Sequence, residues 1–329
     1  MNPVVFFTLC AIFVNGFTDA PNAIATCIST RALSTRHATF LSALFNIAGM
    51  VIMSLYFDKV AMTITRLVHL DGGERQSLQA LFAALLSIVL WALLAWYFGI
   101  PTSESHALLA SLSGAAIALQ GGMSGMNVSE WKRVLFGLFL SVLLGFFGGY
   151  LVCKSLQFFC VGKDRRKLLP RFRLGQIFAG CAMSFLHGAQ DGQKFVGVLL
   201  LSLFLTKSPS VSLPLSTLLF CSLLMGLGTA LGGKRIIKSV GMDMVRLESY
   251  QGFSADLASA FCLLICSLAG IPVSTTHVKT TAILGAGIVK GRSAVNLGVI
   301  RDMAYAWLLT FPCCMLLGFL LAQGFLTLS

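Results

Sequence analysis

The sequence predicts an all-α polytopic membrane protein, with about ten transmembrane segments in two inverted repeats that contain discontinuous helices. Composition is the first observation: 57% of the 329 residues are hydrophobic and 11% are charged, whereas about a quarter of a soluble domain is charged. The second is that apolar stretches of roughly 20 residues, the length that spans a bilayer, recur along the chain. The third is a pair of polar motifs that occurs once in each half.

Polar joints divide the apolar sequence into ten segments, five in each half. They lie near residues 3–33, 38–57, 78–98, 101–120, 132–152, 174–206, 211–230, 253–269, 272–289 and 294–324. The first and the sixth are longer than one crossing requires and contain polar breaks, NGFTDAPN at 15–22 and HGAQDGQK at 187–194. Two more breaks, GIPTSESH at 99–106 and GIPVSTTH at 270–277, separate neighbouring segments. Free backbone groups persist at membrane depth only where protein or a polar cavity satisfies them, so the four breaks predict a cavity.

The basic residues predict the orientation. The chain has 24 Lys and Arg against 12 Asp and Glu, a formal charge of +12, and most of the cations lie in the joints. Lys and Arg are enriched in cytoplasmic joints, so the charge is explained by membrane lipid and topology, without nucleic acid as a partner. The stretch 153–173 is predicted to be a cytoplasmic basic loop, and the joint 231–252 is also placed inside. Residues 1–152 and 174–329 then form the two repeats, and alternation through ten segments places both termini outside the cell.

Two motifs recur in the same order. Residues 15–19 align with 187–191 at an offset of 172 (191 minus 19), and residues 99–106 align with 270–277 at 171 (270 minus 99). Five crossings per half is an odd number, so the halves lie in opposite orientations. This is the inverted-repeat plan of many secondary transporters, in which the substrate binds near the midplane where broken helices of both halves meet.

The same residues carry a resemblance to a known family. The stretches NGFTDAPNAIATCISTRALS at 15–34, GIPTSESHALLA at 99–110, HGAQDGQKFVGV at 187–198 and GIPVSTTHVKTTAILGAG at 270–287 resemble the paired signatures of the PiT family of inorganic phosphate transporters. The resemblance covers both halves in order. It implies cation-coupled symport of inorganic phosphate across the plasma membrane, with no cofactor beyond the coupling Na+ or H+, and it suggests a homodimer.

The chain also differs from the family's usual pattern. Family members often have Asn where Thr18 and Gln190 stand, and often Ser where Glu104 stands. Asp256 opens an apolar segment, where an acid is commonly stabilised by the helix dipole. The resemblance favours an ion-binding role for Asp256, because family members often have an acid near this point.

Carboxylates inside apolar segments are the candidates for the coupling cation. Asp19 and Asp191 lie at equivalent points of the two halves, and an intramembrane carboxylate costs several kcal/mol unless it is paired or faces a polar cavity. They are either interhelical hydrogen-bonding partners or hard oxygen sites that bind Na+ or take up a proton. Asn22 and Gln190 are the nearest additional oxygen donors. Glu104 requires neutralisation by a cation, a lysine or a proton.

Hydroxyl groups are the candidates for the anion. The two matched stretches after the breaks contain Thr102, Ser103 and Ser105 in the first half and Ser274, Thr275 and Thr276 in the second. Hydroxyls, backbone N–H groups and helix N-termini all favour negative charge. The alternative is ordinary helix capping, but two copies at matched membrane positions favour an anion site.

Three basic residues stand beside these motifs. His106 and His277 end the two hydroxyl stretches, and each is either a structural residue or a hydrogen-bond donor to the anion. Lys194 lies where the first half has Asn22, and its ammonium is either the partner of Asp191 or a contact for the anion.

Other functions fit the sequence less well. A sulfate symporter of the same fold fits the hydroxyls, but phosphate is favoured because its protonated form can donate a hydrogen bond to a carboxylate. An intramembrane hydrolase built on Ser105, His106 and Asp191 lacks a nucleophile elbow and a metal-binding HExxH motif. A passive anion channel typically closes a pore from several chains. The absence of a Walker motif argues against primary active transport.

Overall fold

The computed structural model describes residues 3–100, 102–206, 213–232 and 237–328. Its α-helices are α1 Pro3–Thr18, α2 Ala25–Ser29, α3 Thr35–Tyr56, α4 Lys59–Thr65, α5 Glu74–Phe98, α6 Glu104–Gln120, α7 Val128–Cys160, α8 Arg165–Leu205, α9 Leu215–Leu231, α10 Ser249–Ala269, α11 Thr275–Ile288 and α12 Leu297–Thr327. The described ranges contain isolated β-bridges but no strand, so the predicted all-α class is confirmed. Pro101, residues 207–212 and residues 233–236 of the basic joint lie outside the described residues.

Six stretches are long and apolar enough to cross a membrane. They are Pro3–Ser29, Thr35–Tyr56, Glu74–Phe98, Val128–Cys160, Ser249–Ala269 and Leu297–Thr327. The other four predicted segments correspond to α6, α8, α9 and α11. Helices α6 and α9 have 17 residues each and α11 has 14, and at 1.5 Å per residue α11 is only about 21 Å long. Helix α8 has 41 residues, but its middle is polar.

The first segment is interrupted at residues 15–22. Helix α1 ends at Thr18, a 3-10 turn follows at Ala20–Ile24, and α2 begins at Ala25. Pro21 stands at the start of the turn, where its missing N–H and fixed φ end the α-helical hydrogen bonding. Asp19 is therefore the residue at which the α-helix stops.

The break predicted at 187–194 is wrong. Helix α8 runs without interruption from Arg165 to Leu205. The stretch contains no proline, and its glycines serve packing rather than termination: a Cβ at Gly188 would overlap the carbonyl oxygen of Asn46, and one at Gly192 would overlap the side chain of Met50. Glycine here lets α3 approach α8 closely.

The basic loop predicted at 153–173 is also wrong in its structure. Helix α7 continues to Cys160 and α8 already begins at Arg165, so only a short turn separates them. Asp164 caps α8, since its carboxylate accepts a hydrogen bond from Arg166 N at 2.8 Å, and Lys and Arg are good helix formers. Helices α7 and α8 therefore extend beyond the predicted membrane segments 132–152 and 174–206 on the sides that face this turn.

The two halves pack through each other. Helix α6 of the first half packs against α12 of the second, and the equivalent α11 packs against α7. In the same way, α1 of the first half packs against α9 of the second, and the equivalent α8 packs against α3. Matched glycines permit the first two contacts: a Cβ at Gly114 would overlap the carbonyl oxygen of Met315, and one at Gly285 would overlap that of Phe146.

We expect Gly114→Ala and Gly285→Ala to lower the thermal stability of the purified protein. An added methyl must push backbone away from backbone, and overpacking costs about 1–3 kcal/mol, which corresponds to a fall in Tm of several degrees. Gly324→Ala is the matched control, because nothing lies within 4 Å of a Cβ at this glycine. Thermal unfolding in detergent measures the difference, and equal Tm values for the three variants would contradict this packing.

Candidate functional site

Two equivalent helix starts form one side of the site. Helices α5 and α10 end at Gly99 and Gly270, each in the left-handed region with φ 69°, which glycine adopts without strain. After each turn a serine caps the next helix. Ser103 Oγ accepts from His106 N at 3.2 Å, and Ser274 Oγ accepts from His277 N at 3.2 Å. These two hydroxyls therefore serve as helix caps, and both starts are buried.

The two aspartates meet between the halves. Asp19 is 3% exposed and Asp191 is 1% exposed. Thr275, at the start of α11, places its hydroxyl 3.1 Å from Asp191 Oδ2 and 3.4 Å from Asp19 Oδ2. The nearest ligand atoms of Asp19, Asp191 and His187 lie within 4.8 Å of one another. Residues of α1, α8 and α11 thus converge on one point.

Neutral groups surround Asp19. Asn22 Nδ2 donates to Asp19 Oδ1 at 2.7 Å, and the Thr276 hydroxyl donates to the same oxygen. Thr275 lies near the other oxygen. The described part of the chain forms no ion pair with this carboxylate, so its direct hydrogen-bond donors are all neutral dipoles.

Basic groups surround Asp191. Lys194 Nζ is 2.5 Å from Oδ1 and His187 Nε2 is 3.2 Å from Oδ2, while Asn15 Nδ2 donates to Oδ2 at 3.4 Å. His187 and Lys194 lie within four residues of Asp191 on α8, and Asn15 lies on the adjacent α1. The His187 ring is fixed from its other side, since Nδ1 lies 3.1 Å from Asn46 Oδ1.

Lys194 is fully engaged. Besides Asp191, its ammonium donates to Ser105 Oγ at 2.5 Å and to the Val273 carbonyl oxygen at 2.6 Å. An ammonium has three N–H donors, so each has an acceptor. Of the two roles expected from the sequence, the structure favours the partner of Asp191 over a direct contact for an anion.

Glu104 opens α6 next to the break in α1. Its side chain is 3% exposed, Oε1 contacts the Thr18 hydroxyl, and Oε2 has no hydrogen-bond partner among the described residues. A small cavity of about 10 Å³ is lined here by Thr18, Asp19, Asn22, Thr102 and Glu104 together with apolar side chains. That volume is at the lower limit for one water molecule, so the site is closed around its own side chains.

Several buried oxygens have no donor within the described ranges. Among the residues of the site and the predicted site they are Asn15 Oδ1, Asn22 Oδ1, Glu104 Oε2 and Gln190 Oε1. Buried polar atoms are normally hydrogen-bonded, and hard cations take carboxylate and amide oxygens as ligands. Of these, Asn22 and Glu104 line one cavity with Asp19, whose carboxylate has no ion pair among the described residues, and such oxygens are chemically suited to an alkali cation or to a proton.

The two histidines lie in an aromatic cluster. Their ring centroids are 4.2 Å apart, His106 packs on Phe311 at 4.4 Å, and His277 packs on Trp307 at 3.9 Å. In the described structure, no hydrogen bond joins either ring to the carboxylates of the site. The structure therefore places both histidines against α12 rather than beside the aspartates.

Asp256 lies in a separate buried ion pair. Its carboxylate contacts the Lys279 ammonium and accepts from Thr26 Oγ1 at 2.6 Å. Lys279 also donates to the Ala23 carbonyl oxygen at 3.0 Å. The pair ties α2, α10 and α11 together. Asp256 is thus not brought into the group that contains Asp19 and Asp191.

Sequence reasoning missed three residues of the site: Asn15, Thr18 and His187. The aligned motifs contained the signal for two of them, because Asn15 and His187 occupy equivalent positions, four residues before Asp19 and Asp191. Residues four apart lie on one face of a helix. The contact of Thr18 with Glu104 joins two breaks that are far apart in sequence, so no local pattern indicates it.

Comparison with known proteins identifies the class to which this fold and site belong. Residues 15–318 match the phosphate transporter family, and the chain belongs to that family. The predicted family is confirmed, and the protein is a multi-pass membrane transporter rather than an enzyme.

Individual relatives are similar over most of the chain. A probable low-affinity inorganic phosphate transporter of Bacillus subtilis (strain 168) is 34% identical over 319 residues, covering 95% of this chain and 94% of the relative. One of Mycobacterium leprae (strain TN) is 36% identical over 312 residues, covering 94% and 74%. A solved structure of a sodium-dependent phosphate transporter superposes with a TM-score of 0.84 over 100% of both chains at 22% identity, which shows a shared fold.

We expect the Asp256–Lys279 pair to be structural, and a double-mutant cycle tests this. Removing one partner of a buried ion pair costs about 3–5 kcal/mol because the other charge is left buried and unpaired. Lys279→Met alone should therefore lower the Tm strongly, and Asp256→Asn with Lys279→Met should recover most of the loss. Thermal unfolding of the purified variants measures the coupling. A double variant that is no more stable than Lys279→Met would contradict the assignment.

Proposed function

We propose that the protein is a secondary active transporter, which couples uptake of inorganic phosphate across the plasma membrane to a cation, Na+ or H+. The observation that carries the proposal is the meeting of Asp19 and Asp191, from opposite halves, at the hydroxyl of Thr275. Family membership supports it, as do relatives named as low-affinity inorganic phosphate transporters and a structural neighbour described as sodium-dependent.

Proton counting at Thr275 supports the need for a cation. A hydroxyl has one O–H donor, yet the Thr275 oxygen lies within 3.4 Å of a carboxylate oxygen from each aspartate. It can donate to only one of them at a time. The other carboxylate oxygen then faces an oxygen lone pair, and a positive charge between them relieves this repulsion. The unpartnered amide oxygens of Asn15 and Asn22 are available as further ligands.

The phosphate is proposed to bind at the starts of α6 and α11. Helix N-termini and hydroxyls favour an oxyanion, and Thr102, Ser105 and Thr276 lie beside the two capping serines. The same place holds the carboxylates, and two like charges a few ångströms apart repel strongly in a low-dielectric interior. Phosphate binding thus requires that a cation first neutralises the acids, which is a physical basis for coupling.

Alternating access is proposed to open the site from one side at a time. The cavity beside Glu104 is smaller than a phosphate ion, so binding requires the start of α6 to separate from the break in α1, with loss of the contact between Glu104 and Thr18. In inverted-repeat transporters the equivalent movement of the other half opens the opposite side. Both termini are proposed to lie outside the cell, as the basic joints predict.

We expect Asp19→Asn to abolish cation-driven phosphate uptake, because the amide no longer attracts the coupling cation. Asp71→Asn is the matched control, since Asp71 is exposed in the joint before α5. The measurement is accumulation of radiolabelled phosphate in proteoliposomes, first with an imposed Na+ gradient and then with a pH gradient. Excess unlabelled sulfate is the competitor.

The outcomes separate the alternatives. Accumulation driven by Na+ and resistant to sulfate supports sodium–phosphate symport, and accumulation that needs only the pH gradient supports proton coupling. Normal uptake by purified, folded Asp19→Asn would refute the assigned role of Asp19. Wild-type protein that accumulates no phosphate under either gradient would refute the proposed function.

We expect Thr102→Val to raise the KM for phosphate about tenfold or more, because a hydrogen bond to a charged group contributes about 1.5–3 kcal/mol. Thr102 lines the cavity beside Asp19 and Glu104. Thr102→Ser keeps the hydroxyl and should remain close to wild type. Initial rates of phosphate uptake at saturating cation give the KM, and equal values for the two variants would remove Thr102 from the proposed anion site.

A further inference from the structure

The two halves of the site differ in how they meet the charge of their aspartate. In the first half, the side-chain amide of Asn22 donates to Asp19 Oδ1 at 2.7 Å and to Thr276 Oγ1 at 3.2 Å. Every hydrogen-bond donor to this carboxylate among the described residues is neutral, and no lysine or arginine pairs with it. Burial of an unpaired carboxylate is costly, so the Asp19 half has to obtain a positive charge from solution.

The second half repeats this arrangement with a charged residue. At the equivalent positions, Lys194 replaces Asn22 and Ser105 replaces Thr276. The ammonium of Lys194 lies 2.5 Å from Asp191 Oδ1 and 2.5 Å from Ser105 Oγ. The geometry of one half is therefore kept in the other, with an ammonium in place of an amide.

Lys194 has the surroundings of a bound cation. Its Nζ lies among a carboxylate oxygen, a hydroxyl oxygen and the Val273 carbonyl oxygen, all within 2.6 Å. The side chain is 1% exposed. These are the oxygen types that bind hard cations, and with each N–H engaged the ammonium is held in place.

We propose that Lys194 permanently takes the place of a coupling cation at Asp191, so that the exchangeable cation binds on the Asp19 side. This inference rests on the proposed function, since it assigns the cation count of the same site. Two matching carboxylate sites would need two cations from solution. Here one of the two positive charges belongs to the protein. Each transport cycle therefore carries one exchangeable cation fewer than it would if both carboxylates bound cations from solution.

The decisive variant is Lys194→Gln, which gives the second half a neutral amide like that of the first. Asp191 then needs a cation from solution. The double variant Asp191→Asn with Lys194→Gln removes that need and should return to the wild-type count. Lys132→Gln is the control for losing a lysine, because Lys132 is exposed on α7.

Charge moved per phosphate is the first readout. In proteoliposomes with fixed cation and phosphate gradients, the membrane potential is set with K+ and valinomycin until net flux of labelled phosphate is zero. This reversal potential gives the coupled charge whichever cation drives uptake. We expect about one additional positive charge per phosphate in Lys194→Gln, and the wild-type value in Lys132→Gln.

Cation-dependent stability is the second readout and does not require transport. A ligand that binds only the folded protein stabilises it in proportion to the logarithm of its concentration, so the slope counts bound ions. Unfolding in detergent is followed in titrations of Na+ and, separately, of pH. We expect a steeper dependence on one of the two cations in Lys194→Gln, by about one ion, and wild-type slopes in the double variant.

Failure of this inference is distinct from failure of the proposed function. Suppose that wild-type protein accumulates phosphate. The inference is overturned if Lys194→Gln transports with unchanged charge per phosphate, or if Lys194→Gln does not transport and its stability has the wild-type slope in both titrations. If wild-type protein accumulates no phosphate, the proposed function fails. A steeper cation slope in Lys194→Gln would still support the substitution of a cation by Lys194.

Discussion

Negative charge buried inside an apolar protein is the constraint on which the rest of the structure depends. Four carboxylates lie at 3% exposure or less among the described residues of the membrane segments: Asp19, Glu104, Asp191 and Asp256. Two of them have a lysine as partner, and the hydrogen-bond partners of the other two are neutral. The break in α1, the hydroxyl-rich starts of α6 and α11, and the polar middle of α8 all supply the hydrogen bonds that such charges require. If every buried carboxylate were paired with a lysine, none of them would need a cation from solution, and the site would not respond to an ion.

The sequence predicts which residues hold the buried charges better than it predicts their geometry. The repeat identifies Asp19 and Asp191 as equivalent, because motif offsets are visible without any structure. It does not show that residues 187–194 continue a helix, because a glycine in the sequence can either end a helix or let a neighbouring helix pack closely. Gly188 has the second role, since it allows the backbone of Asn46 to approach α8. Nor does the sequence separate Asp256 from the site, because the distance between α10 and the break in α1 is a tertiary property. The stretch 153–173 is predicted to be a loop because it lies between two apolar runs, and its charge places it inside, but neither property shows where a helix ends.

The hydroxyl groups illustrate how the ordinary and the functional interpretations of a motif coexist. Ser103 and Ser274 cap helices, as serine does in many proteins, while Ser105, Thr275 and Thr276 turn toward carboxylates or the ammonium of Lys194. The capping serines fix where α6 and α11 begin, and the neighbouring hydroxyls are thereby placed beside the charged groups. Membership of the phosphate transporter family fits this division, because a site for a small oxyanion needs donors held at fixed positions.

The exchange of packing partners between the halves also has a consequence for biogenesis. Helix α6, which carries Glu104, packs against α12, and α12 leaves the ribosome after all the other helices described. The first half is thus inserted into the membrane before the helix that packs against α6 has been made. Until then the face of α6 that α12 covers has to contact lipid or another protein surface. The packing of α6 is therefore completed late, when α12 is inserted, and substitutions in α12 act on this last step of assembly.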